Sequence, residues 1–228
     1  MSKLDQVLAA LREKADPEKL AGMAHFGMTT DARLGIPVPD LRALAKEIGR
    51  DHALALALWE AGVQEARILA TMVDIPAEVT PHQMDTWAAD FNSWDICDHA
   101  CGNLFDKTPH AWDKLREWAS REEEYVRRAA YALLACLAWH DKKADDVRFI
   151  AAFPVIKAGA RDPRNFVRKA VNWALRNIGK RNLALNGEAI RFSEELLEMD
   201  DPTARWIAKD ALRELRSEKI QERLKKKG

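Results

Sequence analysis

The sequence predicts an all-α chain built as an array of helical repeats, and three observations carry that prediction. Ala, Leu, Glu, Lys and Arg dominate, while the 228 residues include only 10 Gly, 9 Pro and 2 Tyr; these are helix formers with few breakers. Alternating β-branched runs are missing, so no strand pattern competes with the helical one. A nine-residue segment recurs at steps near 40 residues, the signature of a repeat architecture.

Taken along the chain, helical periodicity is punctuated by Pro39-Asp40, Ile75-Pro76, Thr80-Pro81, Thr108-Pro109, Asp162-Pro163 and Asp201-Pro202. These breaks divide it into about ten to thirteen helices with short connections. No linker or low-complexity stretch separates parts, so residues 1–228 read as a single helical unit. The C-terminal tail, about residues 217–228, is basic, and its end, Arg223-Leu-Lys-Lys-Lys-Gly228, reads as frayed and able to add non-specific attraction to a polyanion.

Three segments align without gaps: Val126-Arg-Arg-Ala-Ala-Tyr-Ala-Leu-Leu134, Val167-Arg-Lys-Ala-Val-Asn-Trp-Ala-Leu175 and Ala204-Arg-Trp-Ile-Ala-Lys-Asp-Ala-Leu212. A weaker fourth is Ala66-Arg-Ile-Leu-Ala70. The shared arginine falls at Arg67, Arg127, Arg168 and Arg205, in steps of 60, 41 and 37, with Glu123, Asp162 or Asp201 shortly before the last three. Such steps resemble HEAT repeats, which stack helix pairs so that equivalent positions line one concave face. The expected fold is therefore a curved α-solenoid with an atypical insertion between Arg67 and Arg127.

That register sorts the side chains. With the shared arginine as position zero, position one holds Ile68, Arg128, Lys169 and Trp206, and position five, on the same helical face, holds Met72, Ala132, Trp173 and Asp210. Arg128 and Trp173 are thus expected on one face of adjacent helices, whereas Arg127 belongs to the repeat's own scaffold. Within one helix Lys169, Trp173, Arg176 and Lys180 form a stripe. It reads either as a solvated face with a Trp over a packing seam, or as a surface for a phosphate backbone and a deoxyribose.

Charge is consistent with both. The 36 Lys+Arg balance the 36 Asp+Glu, yet residues 1–114 hold 11 basic and 18 acidic side chains and residues 115–228 hold 25 and 18. A basic half attracts a polyanion locally, and a dipolar solubility surface has the same composition. No apolar run approaches the roughly 20 residues that span a bilayer. The three cysteines (Cys97, Cys101, Cys136) are too few for a disulfide framework, so a reduced, cytoplasmic location is expected, nucleoid-associated if the chain is bacterial.

The stretch that stands out is Phe91-Asn-Ser-Trp-Asp-Ile-Cys-Asp-His-Ala-Cys-Gly-Asn103. Ser93 is placed to N-cap a helix that Trp94 and Asp95 open, and Trp94 shares a face with Asp98. A carboxylate beside an indole near a helix start needs a cation or a donor. Asp98 reads either as a salt-bridge partner of a neighbouring helix or as a site residue. Cys97, His99 and Cys101 lack zinc-site spacing and a fourth ligand, so no metal is expected. No phosphate loop, nucleophilic triad or dinucleotide fingerprint occurs, so no cofactor is expected. Trp59, Trp87, Trp112, Trp118 and Trp139 fall on apolar stripes and read as core; Trp206 reads either way.

Trp94-Asp95-x-x-Asp98, Val126-x-Arg128-Ala-Ala and Lys169-Ala-x-x-Trp173-x-Leu-Arg176, with Met23-Ala24 and Leu34-Gly35-Ile36-x-x-Pro39-x-Leu41-Arg42 upstream, resemble the AlkD-like family of HEAT-repeat DNA alkylation-repair glycosylases over roughly residues 15–215. The resemblance implies hydrolysis of the N-glycosidic bond of cationic N3- or N7-alkylated purines in duplex DNA, by a monomer, without flipping the base. It implies Asp98, Trp94 and Trp173 as the catalytic set and Arg128 as a phosphate contact, with Lys169, Arg176, Lys180 and Phe26 facing DNA. Asp95 is then structural. Phe26 stands where many members carry a tyrosine. Two other functions fit the same scaffold: non-catalytic binding of DNA structures, and a HEAT module for protein partners.

Overall fold

The computed structural model describes residues 2–226, and Lys227 and Gly228 of the basic tail lie outside the described residues. Among the described residues every regular element is helical. None of these helices is long and apolar enough to cross a membrane. Two compact units form, one up to His110 and one from Ala111 onward.

The first unit contains α1 (Lys3–Glu13), α2 (Leu20–His25), α3 (Val38–Ile48), α4 (His52–Glu60), α5 (Gln64–Val73), α6 (Pro81–Ala89) and α7 (Trp94–Asn103). The second contains α8 (Ala111–Trp118), α9 (Glu124–His140), α10 (Asp146–Ile150), α11 (Phe153–Gly159), α12 (Asn165–Gly179), α13 (Leu183–Leu197), α14 (Pro202–Leu215) and α15 (Glu218–Lys225). The tally exceeds the sequence expectation because short helices such as α2, α10 and α11 carry too few residues to show a period.

Local chemistry starts several of these helices, at Thr80 and Asp201 where the breaks predict. Asp51, Thr80, Asn182 and Asp201 accept from amides of the first turn, and Pro81 and Pro202 occupy the first helical position, where a missing N–H costs nothing. Ser2 and Asp5 form a reciprocal capping box on α1. Pro39 breaks nothing; it sits in the first turn of α3.

In the first unit the core is aromatic. Trp59 and Trp87 stack with centroids 4.0 Å apart, and Phe91 meets Trp59 edge-on. Arg67, the repeat arginine of α5, lies over the Trp59 ring and reaches the Asp90 carbonyl at 3.3 Å. In the second unit α12 packs between α9 and α14, as the repeat register requires of three consecutive second helices. Trp112 and Trp118 are buried there, but Trp139, expected in the core, is 61% exposed. It sits in the last turn of α9, where the apolar stripe outruns the elements that cover it. The tail expectation also changes: α15 runs through Arg223 to Lys225, anchored by buried Ile220 and Leu224, so that part of the tail is helical rather than frayed.

The repeat arginines act as scaffold. Arg127 donates to Asp162 at 3.0 Å and to Glu122 at 3.2 Å, and Arg205 pairs with Asp200 at 2.6 Å. Burial pushes Asp162 up, yet the hydrogen bonds from Arg164 and Arg127 overcome it and hold the carboxyl below its ordinary value. Arg127→Ala should therefore lower the unfolding free energy by about 1.5–3 kcal/mol at neutral pH, the range for a hydrogen bond to a charged group. A depressed carboxylate stabilises above its unfolded pKa and loses that contribution as pH falls through the folded value. The difference between wild type and variant should thus narrow below about pH 4, which urea titrations at neutral and acidic pH will measure.

Candidate nucleic-acid interface

The candidate residues fall into both units, each of which builds its own part. In the first unit the segment joining α2 to α3 is held at two points. Glu65, fully buried at the start of α5, accepts from the amides of Leu34, Gly35 and Ile36 at 2.9, 2.8 and 3.2 Å. Gly35 has φ +81°, and a Cβ there would lie 2.1 Å from the Asp16 carbonyl oxygen, so only glycine fits.

The second point is an ion pair. Arg33 and Asp95 meet at 2.9 Å with side chains 2% and 7% exposed, and Arg33 Nε donates to the Thr29 carbonyl at 2.6 Å. The Ser93 hydroxyl donates to Asp95 and accepts from the Thr29 amide. Ser93 therefore stands at the N-cap position of α7 without capping it through its side chain; its oxygen is committed to the loop instead. Asp95 is structural, as the sequence reading expects.

This network sets the start of α7. Trp94 is its first residue, and the indole Nε1 donates to the Phe26 carbonyl at 3.0 Å. Phe26 itself is 68% exposed, with the His25 ring against its edge. Asp98 lies one turn beyond Trp94 on the same face, about 5–6 Å away between Cβ atoms by helical geometry, and both are half-buried. His99 follows. Burial, together with the charges of Arg42 and Arg33, lowers its pKa against the pull of Asp95, so the imidazole is neutral at neutral pH. A half-buried carboxylate, an indole and an exposed phenyl ring on one local surface suit a polarised or cationic group presented from solvent.

In the second unit Arg128 is buried and its Nη1 donates to the Phe166 carbonyl, in the first turn of α12, at 2.6 Å. On α12 Lys169 is exposed and Trp173 half-buried. The rest of the stripe is not a run of open cations. Arg176 Nη1 and Lys180 Nζ both donate to Glu214 of α14, at 2.6 and 2.8 Å. Burial raises the Glu214 carboxyl, but Lys180 and Arg176 outweigh that and leave its pKa lowered. Asp210, one turn earlier, takes a hydrogen bond from Asn172 at 2.6 Å. Trp206 is partly covered by the Arg168 guanidinium, 4.9 Å above its ring.

Sequence reasoning did not find Arg33, Glu65 or Glu214. Glu65 reads as an ordinary first-turn acid, and nothing local marks Arg33 or Glu214 as partners of residues 62 and 38 positions away.

Comparisons with known proteins bear on the chain as a whole. A family model described as DNA alkylation repair enzyme matches residues 7–223. Among curated proteins none matches. Of solved structures, one reported as a new family of proteins related to the HEAT-like repeat DNA glycosylases, with affinity for branched DNA structures, superposes with a TM-score of 0.75 at 16% identity, covering 93% of this chain and 95% of that one. An engineered protein (TM-score 0.41, 16% identity, 95% and 99% covered) and a designed armadillo repeat protein in complex with a Lys-Arg repeat peptide (0.35, 16%, 81% and 88%) are more distant. The first of these establishes the fold as a HEAT-like repeat solenoid.

The Arg33–Asp95 pair gives a direct test of what holds this surface. Arg33→Ala strands a buried carboxylate and should cost about 3–5 kcal/mol in unfolding free energy, whereas the double replacement Arg33→Met, Asp95→Leu should recover much of that loss. Urea titration of both variants measures it; a loss under about 1 kcal/mol for the single variant would mean the pair is solvated.

Proposed function

The chain belongs to the DNA alkylation repair enzyme family, and from that footing we propose that it is a DNA glycosylase for cationic N3- and N7-alkylated purines in duplex DNA. The observation that carries this reading is the surface of α7: Asp98 and Trp94 on one face, half-buried, next to an exposed Phe26 to which Trp94 is tied. Asp95, the other carboxylate of that turn, is consumed by Arg33. Asp98 is the carboxylate of that turn that shares a face with Trp94.

The reaction asks little else of the protein. When the C1′–N bond breaks, its electron pair goes to the base and cancels the positive charge there. The sugar becomes an oxocarbenium ion, water adds to C1′, and one proton is lost to solvent. The products are a neutral alkylpurine and an abasic deoxyribose. Asp98 stabilises the sugar cation and orients the water, and Trp94 offers its π face to the same positive charge. Because the leaving base departs neutral, no acid has to protonate it. The second unit offers contacts of its own: Trp173 suits the face of a deoxyribose and exposed Lys169 a backbone phosphate, with Arg128 held behind them by the Phe166 carbonyl. Arg176 and Lys180 serve DNA more weakly, being shared with Glu214. The base stays in the stack, so no pocket for a flipped purine is needed.

A second reading keeps the DNA and drops the chemistry. It is favoured by phenylalanine at position 26, where a hydroxyl contact is lost, and by the affinity of the structurally similar protein for branched DNA. One assay separates the two. Wild type should release N7-methylguanine from methylated duplex DNA. Asp98→Asn should lose that release by at least about a hundredfold, the loss typical of removing one electrostatic stabiliser, with duplex affinity largely kept. Arg128→Ala should weaken both. Tight binding by wild type without release of any methylpurine would leave the second reading standing.

A further inference from the structure

The exposed indole of Trp139 is the largest departure from what the apolar pattern of α9 leads one to expect, and its surroundings show what it suits. It lies in the last turn of a 17-residue helix whose preceding residues, Leu137 and Ala138, are buried, so the ring stands on a rigid platform. The His140 ring meets it edge-on at 6.5 Å. Trp206, by contrast, already carries a guanidinium on its face.

Beside Trp139 is a pocket of about 210 Å³ lined by Lys142, Asn177, Lys180, Arg181 and Arg223. Its floor is built. Arg181 donates to the carbonyls of Ala138 and Ala144 at 3.2 and 2.8 Å and rests on the Phe149 ring, so it neutralises the C-terminal end of α9 that otherwise repels an anion. Asn177 donates to the Ala135 carbonyl at 3.1 Å. Among the described residues, Glu214 is bound to Lys180 and Asp146 lies 3.8 Å from Arg181. Lys142 and Arg223 stand at the exposed rim, and α15 brings Arg223 there, with its Nη2 3.5 Å from the Lys180 carbonyl.

We infer that Trp139 and this basic rim form a subsite for an unpaired nucleotide of DNA, adjoining the Trp173 stripe at its Lys180 end; the inference rests on the DNA reading above. The ring takes one face of a base, and Lys142 and Arg223 take the phosphate next to it. An unpaired base is specified, not a base pair, because bases within a duplex have both faces covered by their neighbours, whereas an exposed aromatic among cations is the arrangement by which proteins hold single strands. The ligand class is therefore single-stranded DNA, such as a gap, a flap or an opened end next to a duplex.

Fluorescence anisotropy with a labelled oligothymidine and with a blunt unmodified duplex, at one fixed salt concentration, tests this on the full chain. Trp139→Ala should lower affinity for the oligothymidine roughly tenfold, and Trp139→Phe should restore most of it. Both variants should leave duplex affinity within about twofold of wild type, as a surface substitution outside the duplex contacts should. Arg223→Ala should weaken oligothymidine binding and steepen nothing on the duplex. Unchanged oligothymidine affinity in Trp139→Ala, equal losses on both DNAs, or a wild type that binds the duplex alone would overturn the subsite and leave the glycosylase reading intact. A wild type that binds neither DNA would remove both.

Discussion

A buried ion pair between Arg33 and Asp95 is the constraint on which the candidate surface depends. Two charges taken out of water are tolerable only with good geometry and further hydrogen bonds, and the pair has both: Arg33 also reaches Thr29, and Asp95 also holds Ser93. Through that cluster the start of α7 is fixed against the segment that leaves α2. The bond from Trp94 to the Phe26 carbonyl and the half-buried setting of Asp98 both follow from it. The nearby carboxylate of Glu65, enclosed by three backbone amides, performs the same service for the next three residues without a cation.

Much of this was legible in the sequence, and the reason is repetition. The aligned segments set α9, α12 and α14 side by side, separated Arg127 from Arg128 by one residue, and assigned Arg127 to the scaffold, where Asp162 receives it. The helix starts at Thr80 and Asp201 were readable because capping is local chemistry. The closeness of Trp94 and Asp98 on one face needed only the helical period.

The rest was illegible for physical reasons. A period reports which face a residue occupies, not what lies opposite, so the partnership of Glu214 with Arg176 and Lys180 left no trace. The same pattern placed Trp139 in the interior, because a stripe carries no information on how far the covering helices extend. Ser93 shows a further limit: its backbone occupies the predicted cap position, while its hydroxyl serves a loop that is remote in sequence.

The clamp of Glu214 on Arg176 and Lys180 has a consequence for how strongly this molecule responds to ionic strength. Taken together, the three side chains carry one net positive charge, not two. A strand that approaches them exchanges one carboxylate for a phosphate and does not neutralise two bare cations. Fewer condensed ions are then set free than a tally of basic residues along α12 implies. On the function proposed above, discrimination along that stretch rests less on electrostatic pull and more on the fit of Trp173.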